Sequence, residues 1–166
     1  VLVADGDAID LGGRRVELLD ISAHSNGSLA FLDKTHRMLF VGDELASAQV
    51  LMSQIAGCED VPHDPGQPLR AHHAAMGRLK ALAGEYDMIC PAHNGAPIAK
   101  SYIDDYLGLT EHIFAGDAAI EDKLNHIHIE RDPIAPSLCR VRWNKASFLV
   151  NRQQLQGVSG TNGLDG

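Results

Sequence analysis

Three short apolar runs in this chain each stop at a polar side chain, in a loop that also contains glycine. The stops are His24 in ISAHSNGS, Asp43 in FVGDEL and His93 in ICPAHNG. An apolar run bounded by turn residues reads as a strand, and side chains at strand ends sit on the rim of a sheet. Loops converge on that rim, so residues far apart in sequence can build one site there. Imidazole and carboxylate are ligands that Zn²⁺, Mn²⁺ and Fe²⁺ accept, and glycine beside them lets backbone approach without a Cβ in the way. Two histidines and one aspartate cannot close a structural site, but they supply half of a catalytic one.

The rest of the pattern alternates strands and helices. AIDL, RVELLDIS and SLAFLD read as consecutive strands, the first two joined by a Gly12-Gly13 turn, and RMLFVG follows the turn KTH. From Glu44 to Pro68 the chain is irregular, with CEDVPHDPGQP as a rim-loop core that its prolines keep out of long elements. Apolar residues at helical spacing predict a first helix from Leu69 to Tyr86 with Gly84 as its stop, then DMIC as a buried strand, then a second helix from Pro97 to Phe114. LCRVRW and ASFLVN are strand-like, and the glycine-rich tail from Gly157 reads as disordered. The order strand, helix, strand, helix places the chain in the α/β class.

At 166 residues and 45% hydrophobic, the chain suits one domain. The net charge of -8, with Lys and Arg scattered, argues against nucleic acid as a partner and suits a small-molecule substrate. No apolar run is long enough to span a bilayer, so no membrane partner is expected. Cys58, Cys90 and Cys139 lack any CxxC spacing, so neither disulfides nor a thiolate metal site is suggested, and the cytoplasm is the default compartment. The sequence enters a strand-like pattern directly at Val1, which points to residues missing before it.

The long string ISAHSNGSLAFLDKTHRMLFVGDEL resembles the stretch of the metallo-β-lactamase-fold metallohydrolases in which a TPGH-type loop precedes a GS turn, a hairpin and a strand ending in GD. PAHNG is similar to the last metal-binding loop of that superfamily, so the likeness runs from about Asp5 to Pro97. The resemblance implies that His24 is a ligand of one metal site, that Asp43 is the catalytic carboxylate bridging two ions, and that His93 is a ligand of the second site. It implies two zinc ions, with iron or manganese as alternatives, and a metal-activated water attacking an ester, thioester, lactam or phosphoester. Thioester hydrolysis of the glyoxalase II kind is one version of that chemistry. For the fold it implies the C-terminal half of an αββα sandwich over residues 1–156, a mixed sheet with outer helices. The other sheet would come from a missing N-terminal half, or a second copy would cover the exposed face.

Departures from the family pattern are Ala23 and Asn26 in the first loop, which spare the ligand, and the lack of an HxHxDH motif upstream of His24. The alternative from another class is therefore a non-catalytic or degenerate module of the same fold. Among the remaining candidates, His126 and His128 alternate on one strand face and read as exposed, and His63 and Asp64 in the rim loop are candidates for touching substrate. His72, His73 and His112 read as helix-packing or solvent-facing, Cys90 as a small buried apolar residue, and Arg14-Arg15 as a solvated pair.

Overall fold

The computed structural model describes residues 2–52, 64–121 and 138–158. Its first sheet holds five strands in the order β1-β2-β3-β4-β6: β1 (Ala8–Asp10), β2 (Arg15–Asp20), β3 (Leu29–Asp33), β4 (Met38–Gly42) and β6 (Met88–Pro91). The β1–β2 turn closes because Gly12 and Gly13 take φ of 81° and 95°, and the Asp10 carboxylate accepts both their N–H groups at 2.9 and 3.1 Å. Strand periodicity then sorts the side chains. Leu19, Ala30, Leu32, Leu39, Val41 and Ile89 enter the core, while the register places Leu18, Phe31, Phe40 and Cys90 side by side on the opposite face. Phe31 and Met88 remain exposed there.

The described residues also form a second sheet. Its order is β5-β9-β8-β7, from β5 (Val50–Leu51), β7 (Ala119–Glu121), β8 (Leu138–Trp143) and β9 (Ala146–Asn151). Helices α1 (Gln67–Ala81) and α2 (Ser101–Ala115) pack on each other, α2 lies on β8 and β9, and one apolar cluster joins the first sheet, both helices and the second sheet. The mixed α/β class and the strands LCRVRW and ASFLVN agree with expectation.

The differences are at the edges. Helix α1 stops at Ala81, short of Tyr86, because Leu82, Ala83 and Glu85 turn back with their N–H groups on Leu79, Lys80 and Leu82. Tyr86, fully buried, donates its hydroxyl to Leu79 O at 2.8 Å and so seals the turn. Helix α2 starts at Ser101 rather than Pro97, since Ile98 is held extended against Ile89, its N–H 2.8 Å from the Ile89 carbonyl. Asn151 and Gln154 form a capping box on α3 (Arg152–Gln156), and Val158 is buried beyond it.

Arg14 is also more than a solvated side chain. It pairs with the fully buried Asp33, which also accepts from His36. Burial alone would raise the Asp33 pKa, but the hydrogen bonds from His36 and Arg14 outweigh it and hold the carboxyl down at about 2. Among the described residues, no helix is long and apolar enough to cross a membrane.

Candidate functional site

In the first sheet, β2 is antiparallel to β3 and β3 to β4, and β4 is parallel to β6, so β2, β4 and β6 all end on the same edge. His24, Asp43 and His93 follow those three ends. The topology therefore brings together residues that the sequence separates, and all three line one open pocket of about 310 Å³. Gln49 and Asn94 complete its polar lining, while Ala46, Val50 and Leu51 form an apolar wall.

The ring of His24 is oriented. Its Nδ1 lies 2.6 Å from the Leu51 carbonyl, which can only accept, so Nδ1 carries the proton and Nε2 keeps a free lone pair. That is the arrangement in which imidazole binds a metal. Asp43 Oδ1 is shielded from solvent and accepts no hydrogen bond from the described residues, although His93 Nε2 stands 3.3 Å away. A buried carboxylate oxygen left without a donor is costly, and a cation between it and the imidazole would satisfy both. The fit is partial. Among the described residues no three His, Cys, Asp or Glu side chains close around a single point, so these residues suit a metal as part of a ligand set.

Glu44, which sequence reasoning passed over, holds the first loop in place. It is 1% exposed, and its carboxylate accepts the N–H of Ala23 at 3.0 Å and that of His24 at 2.8 and 2.9 Å. Charge-assisted bonds of this kind are among the stronger ones in a protein. The Glu44 carbonyl in turn accepts from His72 Nε2 at 2.8 Å. His72 sits fully buried on α1, where desolvation pushes its pKa down to about 4 and keeps the ring neutral. The loop after β6 is tied differently, by the Ser47 hydroxyl donating to the Asn94 carbonyl at 2.6 Å.

The other histidines are structural. His73 bonds Thr110 at 2.7 Å, and His112 lies against Trp143 with ring centres 3.7 Å apart while pairing with Asp117. Asp64 does not line the pocket; it pairs with Arg70 and accepts the Gly66 N–H near the start of α1. Cys90 is half-buried, and burial raises its thiol pKa. Cys58, His63, His126, His128 and the turn at 132–136 lie outside the described residues.

Solved structures share this architecture. A β-lactamase domain protein of Burkholderia ambifaria matches 68% of this chain and 34% of its own, with a TM-score of 0.54 at 18% identity. A metallo-β-lactamase family protein of Thermus thermophilus matches 69% of this chain and 36% of its own, with a TM-score of 0.51 at 22% identity. The chain has the metallo-β-lactamase fold. Its curated relatives are hydrolases. A hydroxyacylglutathione hydrolase of Ruegeria pomeroyi is 26% identical over 167 residues, covering 98% of this chain. An acyl-coenzyme A thioesterase of Gallus gallus is 40% identical over 42 residues, covering 25% of this chain and 15% of the relative. The chain spans 58% of the length of the first of these. No protein-family model matches it. Within the metallo-β-lactamase fold, then, the described residues present one sheet edge with two imidazoles, an orphaned carboxylate oxygen and an apolar wall.

Proposed function

We propose that the protein is a metal-dependent hydrolase of small acyl thioesters, with His24, Asp43 and His93 as ligands and Asp43 as the carboxylate bridging two ions. The observation that carries the reading is the Asp43 Oδ1 atom, buried without a hydrogen bond from the described residues and 3.3 Å from His93 Nε2, in a pocket that His24 also lines. Zinc, or iron or manganese, would supply there a Lewis acid for the carbonyl and a water acidic enough to be hydroxide near neutrality. The protein's own share is placement. Leu51 O fixes the tautomer that frees His24 Nε2, Glu44 fixes the His24 backbone, and Ala46, Val50 and Leu51 offer an apolar surface to an acyl chain. The thioester class is supported by the relatives, since a hydroxyacylglutathione hydrolase and an acyl-coenzyme A thioesterase both cleave an acyl–sulfur bond.

The remaining ligands, including an HxHxDH motif, are assigned to polypeptide upstream of Val1. The same upstream segment is the occupant proposed for the outer face of the first sheet, where Phe31 and Met88 are exposed beside Phe40 and Cys90. The cytoplasm is the compartment proposed, since Cys58, Cys90 and Cys139 lack the spacing of a disulfide framework.

The incomplete ligand set favours one competing reading, a non-catalytic module of the same fold. Metal analysis and thioester hydrolysis of the full-length protein separate the two. The enzyme reading expects bound zinc and turnover, both lost in His24→Ala, whereas a metal-free, inactive full-length protein establishes the module.

A further inference from the structure

Gln49 stands in the metal pocket with its amide orientation already decided. Its Oε1 lies 3.0 Å from Arg140 Nη2, and a guanidinium can only donate, so the oxygen is turned towards Arg140 and the amide NH₂ away from it. That NH₂ makes no hydrogen bond with any described residue, and Gln49 lines the pocket together with His24, Asp43 and His93.

The base of the side chain is equally fixed. Ser147 donates its hydroxyl to the neighbouring Ala48 carbonyl at 2.9 Å, and Val50 on the other side is paired with Phe148 in the second sheet. Arg140 belongs to the central part of that sheet, with a side chain 19% exposed, and it also forms an ion pair with Glu121 at 3.7 Å. Its Nε is buried with no hydrogen-bond partner among the described residues. Keeping a guanidinium partly desolvated and incompletely bonded carries a free-energy cost, which is what an arrangement serving to orient Gln49 would display.

Beside Gln49 the pocket presents two acceptors, the Asp43 carboxylate and the His24 lone pair, together with His93 and Asn94. A carbonyl undergoing attack gathers negative charge on its oxygen, and a preoriented neutral donor beside it stabilises that charge more than it stabilises the ground state. We propose that Gln49 donates a carboxamide N–H to the substrate's acyl oxygen, with Arg140 as the positioning residue that fixes the amide. The inference rests on the thioester-hydrolase reading for the identity of that oxygen. Asn94 lines the same pocket but is exposed on the loop after β6, so Gln49 is the donor whose direction is set from inside the fold.

Two measurements on the full-length protein test it. In steady-state hydrolysis of a hydroxyacylglutathione by the zinc-loaded protein, Gln49→Ala and Gln49→Glu lower kcat by about 10- to 100-fold, with KM moving less and zinc content and Tm unchanged. Arg140→Ala lowers kcat by a smaller factor, and Arg140→Lys, which keeps one donor, restores most of it. Independently, the side-chain ¹⁵N–¹H₂ signals of Gln49 move on titration with glycolate, a hydroxy acid whose anionic carboxylate oxygen resembles the oxygen that gathers charge on attack. Gln49→Ala with kcat/KM within twofold of the parent protein, or Gln49 signals that stay still on titration, overturns the assignment. A parent protein that holds no zinc and hydrolyses no thioester contradicts the hydrolase reading instead, and the glycolate titration then decides for or against Gln49 by itself.

Discussion

The loops carrying His24 and His93 border one pocket, yet the first is gripped by a buried carboxylate, whereas the second is tied by the Ala92 N–H to the Gly42 carbonyl at 2.9 Å and leaves its imidazole at the rim. Around His24, a buried carboxylate grips the backbone and the Leu51 carbonyl grips the ring, with His72 on α1 bracing Glu44 behind them. Around His93, the side chain is 71% exposed, and its loop is fastened by the Ser47–Asn94 hydrogen bond and by the approach of Asp43. One arm is thus preorganised, so ligand binding there would cost little ordering entropy, while the exposed imidazole of the other has more freedom to lose. Asp43 lies between them and gives each arm a reason to face the other.

The largest expected effect comes from removing that shared group. Asp43→Asn lowers thioester turnover by about a thousandfold or more and lowers zinc content, as read by rate and elemental analysis, because several kcal/mol of charge stabilisation depend on the metal. Next is the brace of the fixed arm. His72 has a folded pKa of about 4 against 6.5 in the unfolded chain, so the unfolded state binds more protons between those values. Stability is therefore fully present above pH 6.5 and falls as the pH drops towards 4, by about 3 kcal/mol, which urea titrations across that window measure. His72→Gln, which keeps a donor for the Glu44 carbonyl, flattens the slope. Asp33 acts in a separate, lower window, its contribution being present above 3.8 and lost as the pH falls through about 2.

A sharper contrast between the arms comes from Glu44→Gln beside His93→Gln. The first puts an amide NH₂ against backbone N–H groups, so it weakens zinc binding by about 10- to 100-fold and lowers Tm as well. The second weakens zinc binding while leaving Tm where it was, because so exposed a side chain adds little to folding. Equal Tm losses in both variants would erase the distinction between the arms. Smallest is Ser47→Ala, which costs less than about 1 kcal/mol and shows as faster amide exchange in the loop at Asn94 and Gly95.

How much of this was legible in the sequence follows from the range of each signal. His24, Asp43 and His93 could be picked out because each ends an apolar run, and the ends of β2, β4 and β6 share one edge by topology. Glu44 could not, since its partners are backbone N–H groups some twenty residues earlier, and an acidic residue after Gly-Asp looks like part of a turn. The two residues of β5 carry no periodicity at all; the strand exists because β9 offers it an edge. The premature end of α1 and the late start of α2 have the same origin, a tertiary bond from Tyr86 and a bridge from Ile98 that local propensity does not encode. The orientation of Gln49 depends on Arg140, ninety-one residues further on, and is visible only in three dimensions.

The most direct test of the central claim is zinc analysis of the full-length protein beside its His24→Ala variant, with thioester hydrolysis followed on the same samples. Zinc and turnover are expected in the parent and neither in the variant. Zinc-free, inactive protein in both forms, with the upstream polypeptide present, would contradict that claim.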